Sequence, residues 1–572
     1  MAQLVANAND PLTQLSRMSL EELGKVEVTS VSKAAQPLSS APASIYVITH
    51  EEIERSGVLS IPEALRLAPN LQVEQIGSQD YQIGARGFGS HLEFQNFSNK
   101  ILILIDGRSV YNPLFSGVSY DQQDVFMDDI ERIEVISGPG ATLWGANAMN
   151  GVINIITRKA QDTEGVLVRA DAGDENALAG RVGAGFGDGS AWRVYAKGFD
   201  RGASELPTGA SAGDGWNKAQ TGFRMDLGAP SNANRFTLQG DYQRATEKHP
   251  AFDDVDFSQG DVLGRWEHDG DIADTRLQLY FDATRRDQPP EGVGFDLDTW
   301  DLDFQQMLSL GERHRVVWGF GRRSNDYTVG NTSTLAFAPA HRTLELTNVF
   351  AQDTIALSDH FKFTAGLKFE ENSYSGWSTL PDLRLSWSPD ASTLVWASAA
   401  RAIRSPTPFD ADVQEFAGAA LFLEGDPDFR PEQVDAFEVG YRSQPHQAIS
   451  WSLSAFYDEY DDLRSIEPAT GGFLPLHWGN LIEGGTYGFE LWANIQVTPW
   501  WRLSPGFRSL HKRLEFSDGA SQLLGVEQAG NDPTSRATLK SSMDLGRWTV
   551  DAMLRYVGKL PSPESDSYTD LG

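Results

Sequence analysis

A strict alternation of apolar and polar residues runs through the last 400 residues of the chain and limits what it can fold into. Segments such as RFTLQGDYQ (235–243), RLQLYFDAT (276–284) and RWTVDAMLRYV (547–557) place apolar side chains on one face and polar ones on the other. A period of two residues predicts half-buried β-strands. At ~40 residues per hairpin the length predicts eighteen to twenty strands with no helices between them.

The apolar faces of these strands have two possible destinations. In a soluble β-sandwich they would pack inward, whereas in a membrane β-barrel they would face lipid. The many Trp, Tyr and Phe residues at strand ends resemble the aromatic girdles of membrane barrels and favour the second arrangement.

Composition excludes several classes of protein. The 572 residues carry a net charge of −32, which argues against nucleic acid as a partner because phosphate binding needs clusters of Lys and Arg. Cysteine is absent, so disulfides and thiolate metal sites are excluded. No stretch reaches the ~18 apolar residues of a transmembrane helix. The mean hydropathy of −0.35 is compatible with a barrel, whose strands average to a polar value.

The first 160 residues have a different pattern of apolar residues. Apolar, β-branched runs at 101–105, 130–136 and 151–157 end at Gly, Pro or Asp and predict a small buried sheet. Thr49 with Glu52, and Ser60 with Glu63, predict two capping boxes that open short helices. A compact mixed α/β domain is expected here.

This domain resembles the plug domain of TonB-dependent outer-membrane receptors in three segments, LILIDGRSVY, IERIEVISGPGATLWGANAMNGVINIITRK and IGARGFG. Farther on, ARAIRSPTP and LEGDPDFRPEQVDAFEVGYR are similar to the barrel of that family. The resemblance implies an antiparallel membrane β-barrel of about 22 strands with an N-terminal mixed α/β plug in its lumen. We expect an N-terminal segment at 1–35, the plug at 36–160 and the barrel at 161–572. The barrel is expected to lack its last strands at the C-terminus.

In the resembled family an extended segment before the plug pairs with the inner-membrane protein TonB, and strand addition needs only main-chain groups and β-propensity. The β-prone run KVEVTS places this TonB-coupling segment at Val26, Glu27, Val28, Thr29 and Ser30. An ordinary first strand of the plug is the alternative.

Two turns of the plug are expected to face outward beneath the barrel loops. They offer aromatic and amide groups suited to a rigid, planar or chelated ligand. Packing beneath the loops is the alternative role. The candidate substrate-binding residues are Gln75, Ser78, Gln79, Tyr81, Tyr111, Phe115 and Tyr120.

The family also implies buried plug arginines that face barrel glutamates and hold the plug in place. Arg86 in ARGFG matches one arginine position, and the residue before GPG, which usually supplies the other, is Ser137. Glu438 in FEVGY and Glu490 in GFELW are the expected barrel partners. Ordinary lumen-facing charge is the alternative.

Enzyme chemistry is not expected. The residues after Gly145 do not complete a phosphate-binding loop, no G-x-S-x-G elbow is present, and ten scattered histidines form no metal-binding pair. We therefore expect no catalytic residue, resident metal or cofactor.

The expected function is import of a scarce ligand across the outer membrane by force from TonB, with a ferric siderophore as the first expectation. Cobalamin, or another chelate or saccharide, is the alternative within transport. A passive porin or adhesin and a secreted soluble β-protein are the alternatives outside it. The expected partners are TonB, outer-membrane lipid and the small chelate, with the plug and N-terminus on the periplasmic side.

Overall fold

A computed structural model describes residues 19–89, 98–173, 175–249, 253–287, 294–469, 472–530 and 532–559. The N-terminal segment contributes α1 (Leu20–Lys25), β1 (Glu27–Val28) and β2 (Gln36–Pro37). Helix α1 begins with a capping box in which the Ser19 hydroxyl accepts from the Glu22 amide and the Glu22 carboxylate accepts from the Ser19 amide. Strands β1 and β2 pair with each other in an antiparallel hairpin.

The plug is the mixed α/β domain that the sequence predicted. Its strands are β3 (Ile45–Thr49), β4 (Gln72–Gln75), β5 (Tyr81–Gly84), β6 (Ile101–Ile105), β7 (Arg108–Ser109), β8 (Ile130–Ser137) and β9 (Gly151–Thr157). Its helices are α2 (His50–Ser56), α3 (Ile61–Leu65) and α4 (Ala141–Trp144). Five strands form one sheet in the order β3-β8-β9-β6-β7, and β4 pairs with β5 in a separate hairpin. The apolar runs are buried because both faces of the sheet are covered.

The two predicted capping boxes have different outcomes. Thr49 caps α2 through the Glu52 amide as expected, and the helix ends at Gly57 with φ of +69°. The box predicted at Ser60 is wrong, because the Ser60 hydroxyl makes no capping hydrogen bond to α3. The Glu63 carboxylate turns instead to the amide of Leu59, one residue before the cap, at 3.2 Å.

The rest of the chain forms one sheet of 22 strands among the described residues. They are β10 (Gly165–Asp171), β11 (Glu175–Phe186), β12 (Ser190–Arg201), β13 (Trp216–Leu227), β14 (Asn234–Glu247), β15 (Val255–His268), β16 (Ala273–Asp287), β17 (Gly294–Leu310), β18 (His314–Gly330), β19 (Leu335–Phe337), β20 (His341–Ala356), β21 (Phe361–Asn372), β22 (Gly376–Asp390), β23 (Thr393–Arg404), β24 (Val413–Ala417), β25 (Ala420–Glu424), β26 (Glu432–His446), β27 (Ile449–Pro468), β28 (Leu476–Thr498), β29 (Trp501–Phe516), β30 (Ser535–Leu545) and β31 (Trp548–Val557). A short helix, α5 (Pro408–Ala411), precedes β24.

Three of these strands, β19, β24 and β25, are short and lie in loops, so nineteen described strands form the wall. Each wall strand pairs antiparallel with the next along the chain, for example β18 with β20 and β23 with β26. The wall was predicted from the period of two, and the apolar faces point out of the barrel. Phe236, Leu238 and Tyr242 on β14 are 50%, 43% and 48% exposed on its outside. The alternative of a soluble sandwich with an apolar interior is therefore wrong.

The two ends of the wall differ. At one end the strands are joined by tight turns, such as 187–189, 391–392 and 546–547. At the other end the connections 202–215, 331–340, 405–431 and 517–534 are long. Short turns on the periplasmic side and long loops outside are the usual arrangement of such barrels. No helix in the described part of the chain is long and apolar enough to cross a membrane.

The plug lies inside the wall, and the inward-facing side chains of the strands reach it. Arg193 on β12 donates to the main chain of Arg158, and Gln305 on β17 donates to the carbonyl of Lys33 at 2.7 Å. Inward-facing polar side chains of the wall, such as Arg193 and Gln305, are thus buried against polar groups of the plug and form hydrogen bonds with them.

Candidate functional site

The first candidate turn of the plug connects β4 to β5 and rests against the wall connection 202–215. The Ser78 amide donates to Asp214 at 2.8 Å, and the Ser78 hydroxyl donates to the carbonyl of Gly202 at 3.2 Å. Arg201 donates to the Tyr81 hydroxyl at 3.3 Å. Gln79 is buried beside them, while Gln75 is exposed and donates to the carbonyl of Gly77.

The second turn places its three candidate residues in three different surroundings. The Tyr111 hydroxyl donates to the carbonyl of Asn99 at 3.0 Å, and Tyr120 lies in the main apolar core of the plug. Burial raises the pKa of both tyrosines above its ordinary value. Phe115 lies instead among aromatic rings of the outer connections.

The seven candidate ligand residues are therefore not gathered into one surface in this conformation. Ser78 contacts one wall connection, Tyr81 contacts the adjoining end of β12, and Phe115 contacts another connection. Tyr111 and Tyr120 are buried in the plug. Their role in binding ligand stays a prediction.

The candidate coupling segment is folded into the plug. Val28 is fully buried, and the amides of Thr29 and Ser30 donate to the carboxylate of Glu134 at 3.0 and 2.8 Å. The Trp144 indole donates to the carbonyl of Ser30 at 2.8 Å. Val26 ends α1, and Glu27 pairs with Pro37 across the β1–β2 hairpin. Only Glu27 and Val28 are in a strand, Ser30 lies in a turn, and these residues already have partners within the plug domain.

A buried ion pair joins plug and wall at the positions that the sequence suggested. Arg86 has no exposed surface and forms an ion pair with Glu438 of β26. Asp458 of β27, which the sequence did not suggest, lies 3.6 Å from the same guanidinium. Burial opposes the charge of Arg86, but the surrounding carboxylates outweigh it and raise the pKa of Arg86 above its ordinary value.

A glycine, Gly138, lies beneath this ion pair because a larger residue would not fit there. Its φ is +91°, and a Cβ at this position would collide with the Arg86 guanidinium. The neighbouring Ser137 carries no charge and accepts from the Asn70 side chain at 2.9 Å.

Glu490 is bonded differently from Glu438. It accepts from the Ser44 hydroxyl of the plug at 2.7 Å. Arg508 on β29 is directly opposite Glu490 in the strand register. Ser137, at the second arginine position of the plug, has no charge to pair with Glu490.

Sequence reasoning missed several further ion pairs between plug and wall. Arg108 contacts Asp261 at 3.1 Å and Asp282 at 2.5 Å, and Lys100 contacts Glu432 at 3.0 Å. Burial lowers the pKa of Lys100 to about 8, against the opposing effect of Glu432. The one signal for the wall partners is their place on the polar face of an alternating strand, which does not identify the plug residue they meet.

Comparison with known proteins decides the family. A family model described as the TonB dependent receptor-like β-barrel matches residues 168–571. A second model, the TonB-dependent receptor plug domain, matches residues 37–152. The chain belongs to the TonB-dependent receptor family. The receptor is accordingly an outer-membrane β-barrel with a plug, as the resemblance implied.

Two curated relatives span nearly all of the receptor. It is 25% identical to the iron-regulated outer membrane virulence protein of Vibrio cholerae, over 95% of this chain and 86% of that protein. It is 24% identical to the vitamin B12 transporter BtuB of Photobacterium profundum, over 93% of this chain and 83% of that protein.

Solved structures support the same fold. The siderophore receptor PirA from Acinetobacter baumannii aligns with a TM-score of 0.75 at 17% identity, over 91% of this chain and 86% of that chain. A mutant of the ferric enterobactin receptor of Pseudomonas aeruginosa aligns with a TM-score of 0.74 at 16% identity, with the same coverage. At this level of identity the likeness concerns the fold of the receptor and not its ligand.

Proposed function

We propose that the receptor imports a scarce chelate, a ferric siderophore, by force that TonB applies to the segment Val26–Ser30. The observation that carries the proposal is that this segment is bonded directly to the plug that fills the barrel. A pull on it is transmitted to the central sheet of the plug through two hydrogen bonds that the amides of Thr29 and Ser30 donate to the Glu134 carboxylate.

The position of the segment supports an approach by TonB from the periplasm. Arg442, near the end of β26 that leads into the short turn 447–448, donates to the carbonyls of Leu38 and Ala41 at 2.6 and 2.7 Å. Leu38 and Ala41 thus lie at the end of the barrel with tight turns. We infer that this end and the N-terminus face the periplasm, and that the long connections face outward.

Strand addition supplies the chemistry of coupling. TonB would offer a partner strand to main-chain groups in Val26–Ser30, which needs no particular side chains. In the described conformation β1 already pairs with β2, so the segment must leave that short hairpin first. Because the hairpin has two residues in each strand, few hydrogen bonds oppose its release.

The ligand assignment draws on the relatives. The Vibrio cholerae relative is an iron-regulated outer membrane protein, and the solved receptors are receptors for siderophores or ferric enterobactin. Vitamin B12 transporters among the curated relatives favour cobalamin as the second candidate. We further propose that the ligand is received by the two outward turns, through Gln75, Ser78, Gln79, Tyr81, Tyr111 and Tyr120. The seventh candidate, Phe115, packs against Phe409 of the connection 405–431.

Growth on iron chelates tests the proposed ligand class. A receptor-deleted strain starved of iron should regain growth on at least one ferric siderophore when the receptor gene is restored. Catecholate, hydroxamate and carboxylate siderophores would be compared with cobalamin in a cobalamin-dependent strain. A response to cobalamin alone would move the assignment to the second candidate, and growth on none of them would contradict the proposal.

Replacing Val28 with Pro tests the coupling segment. Proline removes an amide that an added strand needs, so uptake should fall to the level of a strain without TonB, while ligand binding at the cell surface is unchanged. Val28→Ala is the matched control, because it loses the same buried side chain but keeps the amide. Undiminished uptake by Val28→Pro would show that TonB engages another segment.

A further inference from the structure

The longest described connection at the outer end, residues 405–431, folds across the mouth of the barrel. It contains α5 and the β24–β25 hairpin. On one side β24 pairs with β19 of the connection 331–340, and on the other β25 pairs in parallel with the start of β28. Residues 405–431, here called the lid, thus extend a sheet between two other parts of the outer rim.

The underside of the lid is apolar and meets the apex of the plug. The Phe115 ring lies 5.7 Å from Phe337 and 6.0 Å from Phe409 between ring centroids. The amide of Phe409 donates to the carbonyl of Leu114 at 3.1 Å. Leu114, Val413 and their neighbours form one buried apolar cluster that includes residues of the plug, the wall and the lid. The plug apex is therefore part of the packing that holds the lid down.

A buried ionic network joins the same two parts at the base of the lid. Arg404 and Glu432, the residues that flank the lid, form an ion pair with each other. The plug residue Lys100 donates to Glu432 at 3.0 Å. Within the lid, Asp410 accepts from Arg404 at 2.7 Å and from Arg464 of the wall at 3.0 Å. All five side chains are at least nine-tenths buried.

We propose that residues 405–431 form a lid that the plug holds shut, and that Phe115 and Lys100 are the plug residues that hold it. A ligand reaches the plug apex when the lid separates from Phe115. Phe115 is then a positioning residue of the lid and not a ligand contact. The expected change in ligand affinity rests on the proposed function, whereas the proposal that the plug holds the lid shut does not.

The two roles of Phe115 predict opposite changes in affinity. If Phe115 contacts ligand, Phe115→Ala weakens binding. If it holds the lid, the same change raises the open fraction, and the apparent affinity for ligand rises in proportion. Loss of one partly buried aromatic side chain is large enough to change the open fraction by about tenfold.

Labelling of a single thiol tests the lid without any ligand. The chain has no cysteine, so Val413→Cys places one buried thiol on the underside of the lid. A hydrophilic maleimide should label it slowly in the full-length receptor. Adding Phe115→Ala, or Lys100→Met in a separate variant, should raise the rate by about tenfold or more. Ala420→Cys, on the exposed side of the lid, gives the rate for an accessible thiol.

Phe126→Ala is the matched control. Phe126 is a buried plug phenylalanine whose ring lies 5.2 Å from Tyr195 of β12, away from the lid. It should leave the labelling rate of the thiol at position 413 unchanged, and Phe115→Leu, which keeps most of the apolar volume, should behave similarly. Equal rates with and without Phe115→Ala would overturn the proposal, as would a rate at position 413 that equals that at 420, or the same acceleration by Phe126→Ala.

Ligand binding supplies the second readout. It distinguishes a failure of the proposed function from a failure of the lid proposal. A ferric siderophore found to support growth should bind the Phe115→Ala receptor more tightly than the unaltered one. Weaker binding would return Phe115 to the role of a ligand contact and overturn the proposal. If no chelate binds the unaltered receptor, the proposed function fails while the labelling result on the lid still stands.

Discussion

Replacing Arg86 with Gln should destabilise the plug inside the barrel by about 3–5 kcal/mol, since it removes one partner of a buried ion pair. Glu438 and Asp458 would lose the cation that compensates their burial. The expected results are a lower unfolding midpoint of the purified receptor in detergent and a leak of bulky hydrophilic antibiotics into cells. Denaturant titration measures the first and antibiotic sensitivity the second.

Two further variants separate the ion pair from loss of charge in general. Arg401→Gln breaks a half-exposed pair with Asp435 on the wall and should cost less than about 1 kcal/mol. The double variant Arg86→Gln with Glu438→Gln should be less destabilised than Arg86→Gln, because no unpaired charge remains at Glu438. If the Arg86→Gln receptor is as stable and as impermeable as the unaltered one, this ion pair does not hold the plug.

The local structure of the plug could be predicted closely from the sequence. Strands expected at 101–105 and 151–157 are found at Ile101–Ile105 and Gly151–Thr157. These runs are bounded by Gly, Pro or Asp, so their ends are set by local backbone preferences. The box at Ser60 was wrong because Glu63 had a competing main-chain donor one residue away, which a motif does not reveal.

The wall was predictable for a different reason. An alternation with a period of two shows which face of each strand is apolar and which is polar. It can be recognised in the sequence without knowing the register in which the strands pair. The apolar residues Phe236, Leu238 and Tyr242 on β14 face outward as one set. The expectation that the last strands are missing stays a prediction, and the terminal residues SDSYTDLG lie outside the described part of the chain.

Contacts between plug and wall were mostly beyond sequence reasoning. Arg86 and Glu438 were found through a resemblance, whereas Asp458 and the pair of Lys100 with Glu432 were not. Such pairs join residues more than 300 positions apart, and the strand register and the rotation of the plug decide them. The lid was missed for the same reason, since β24 and β25 are short strands whose partners lie in other connections.

The ion pair and the lid place the plug under two constraints. The wall holds it near Arg86, and the outer connections hold it near Phe115 and Lys100. Import requires the contacts near Arg86 to break when TonB pulls on Val26–Ser30. A covalent bond at that place should therefore stop transport while leaving the outer face unchanged.

Such a bond can be made between Ser44 of the plug and Ser454 of the wall, and it should abolish uptake. Their hydroxyl oxygens are 3.0 Å apart, and both side chains are buried. Sulfur atoms in a disulfide are ~2.0 Å apart, so Ser44→Cys with Ser454→Cys needs little adjustment in a chain that has no other cysteine. After oxidation, uptake of the chelate should be lost and surface binding kept. A reductant should restore uptake, as measured with radiolabelled iron.

The wall offers a matched control for this disulfide. The hydroxyl oxygens of Thr354 and Thr364 on β20 and β21 are also 3.0 Å apart, and Thr354→Cys with Thr364→Cys joins two wall strands without touching the plug. That receptor should transport equally well oxidised and reduced. Uptake by the oxidised Ser44–Ser454 pair would mean that the ligand passes while this part of the plug stays against the wall. The movement would then be confined to other parts of the plug.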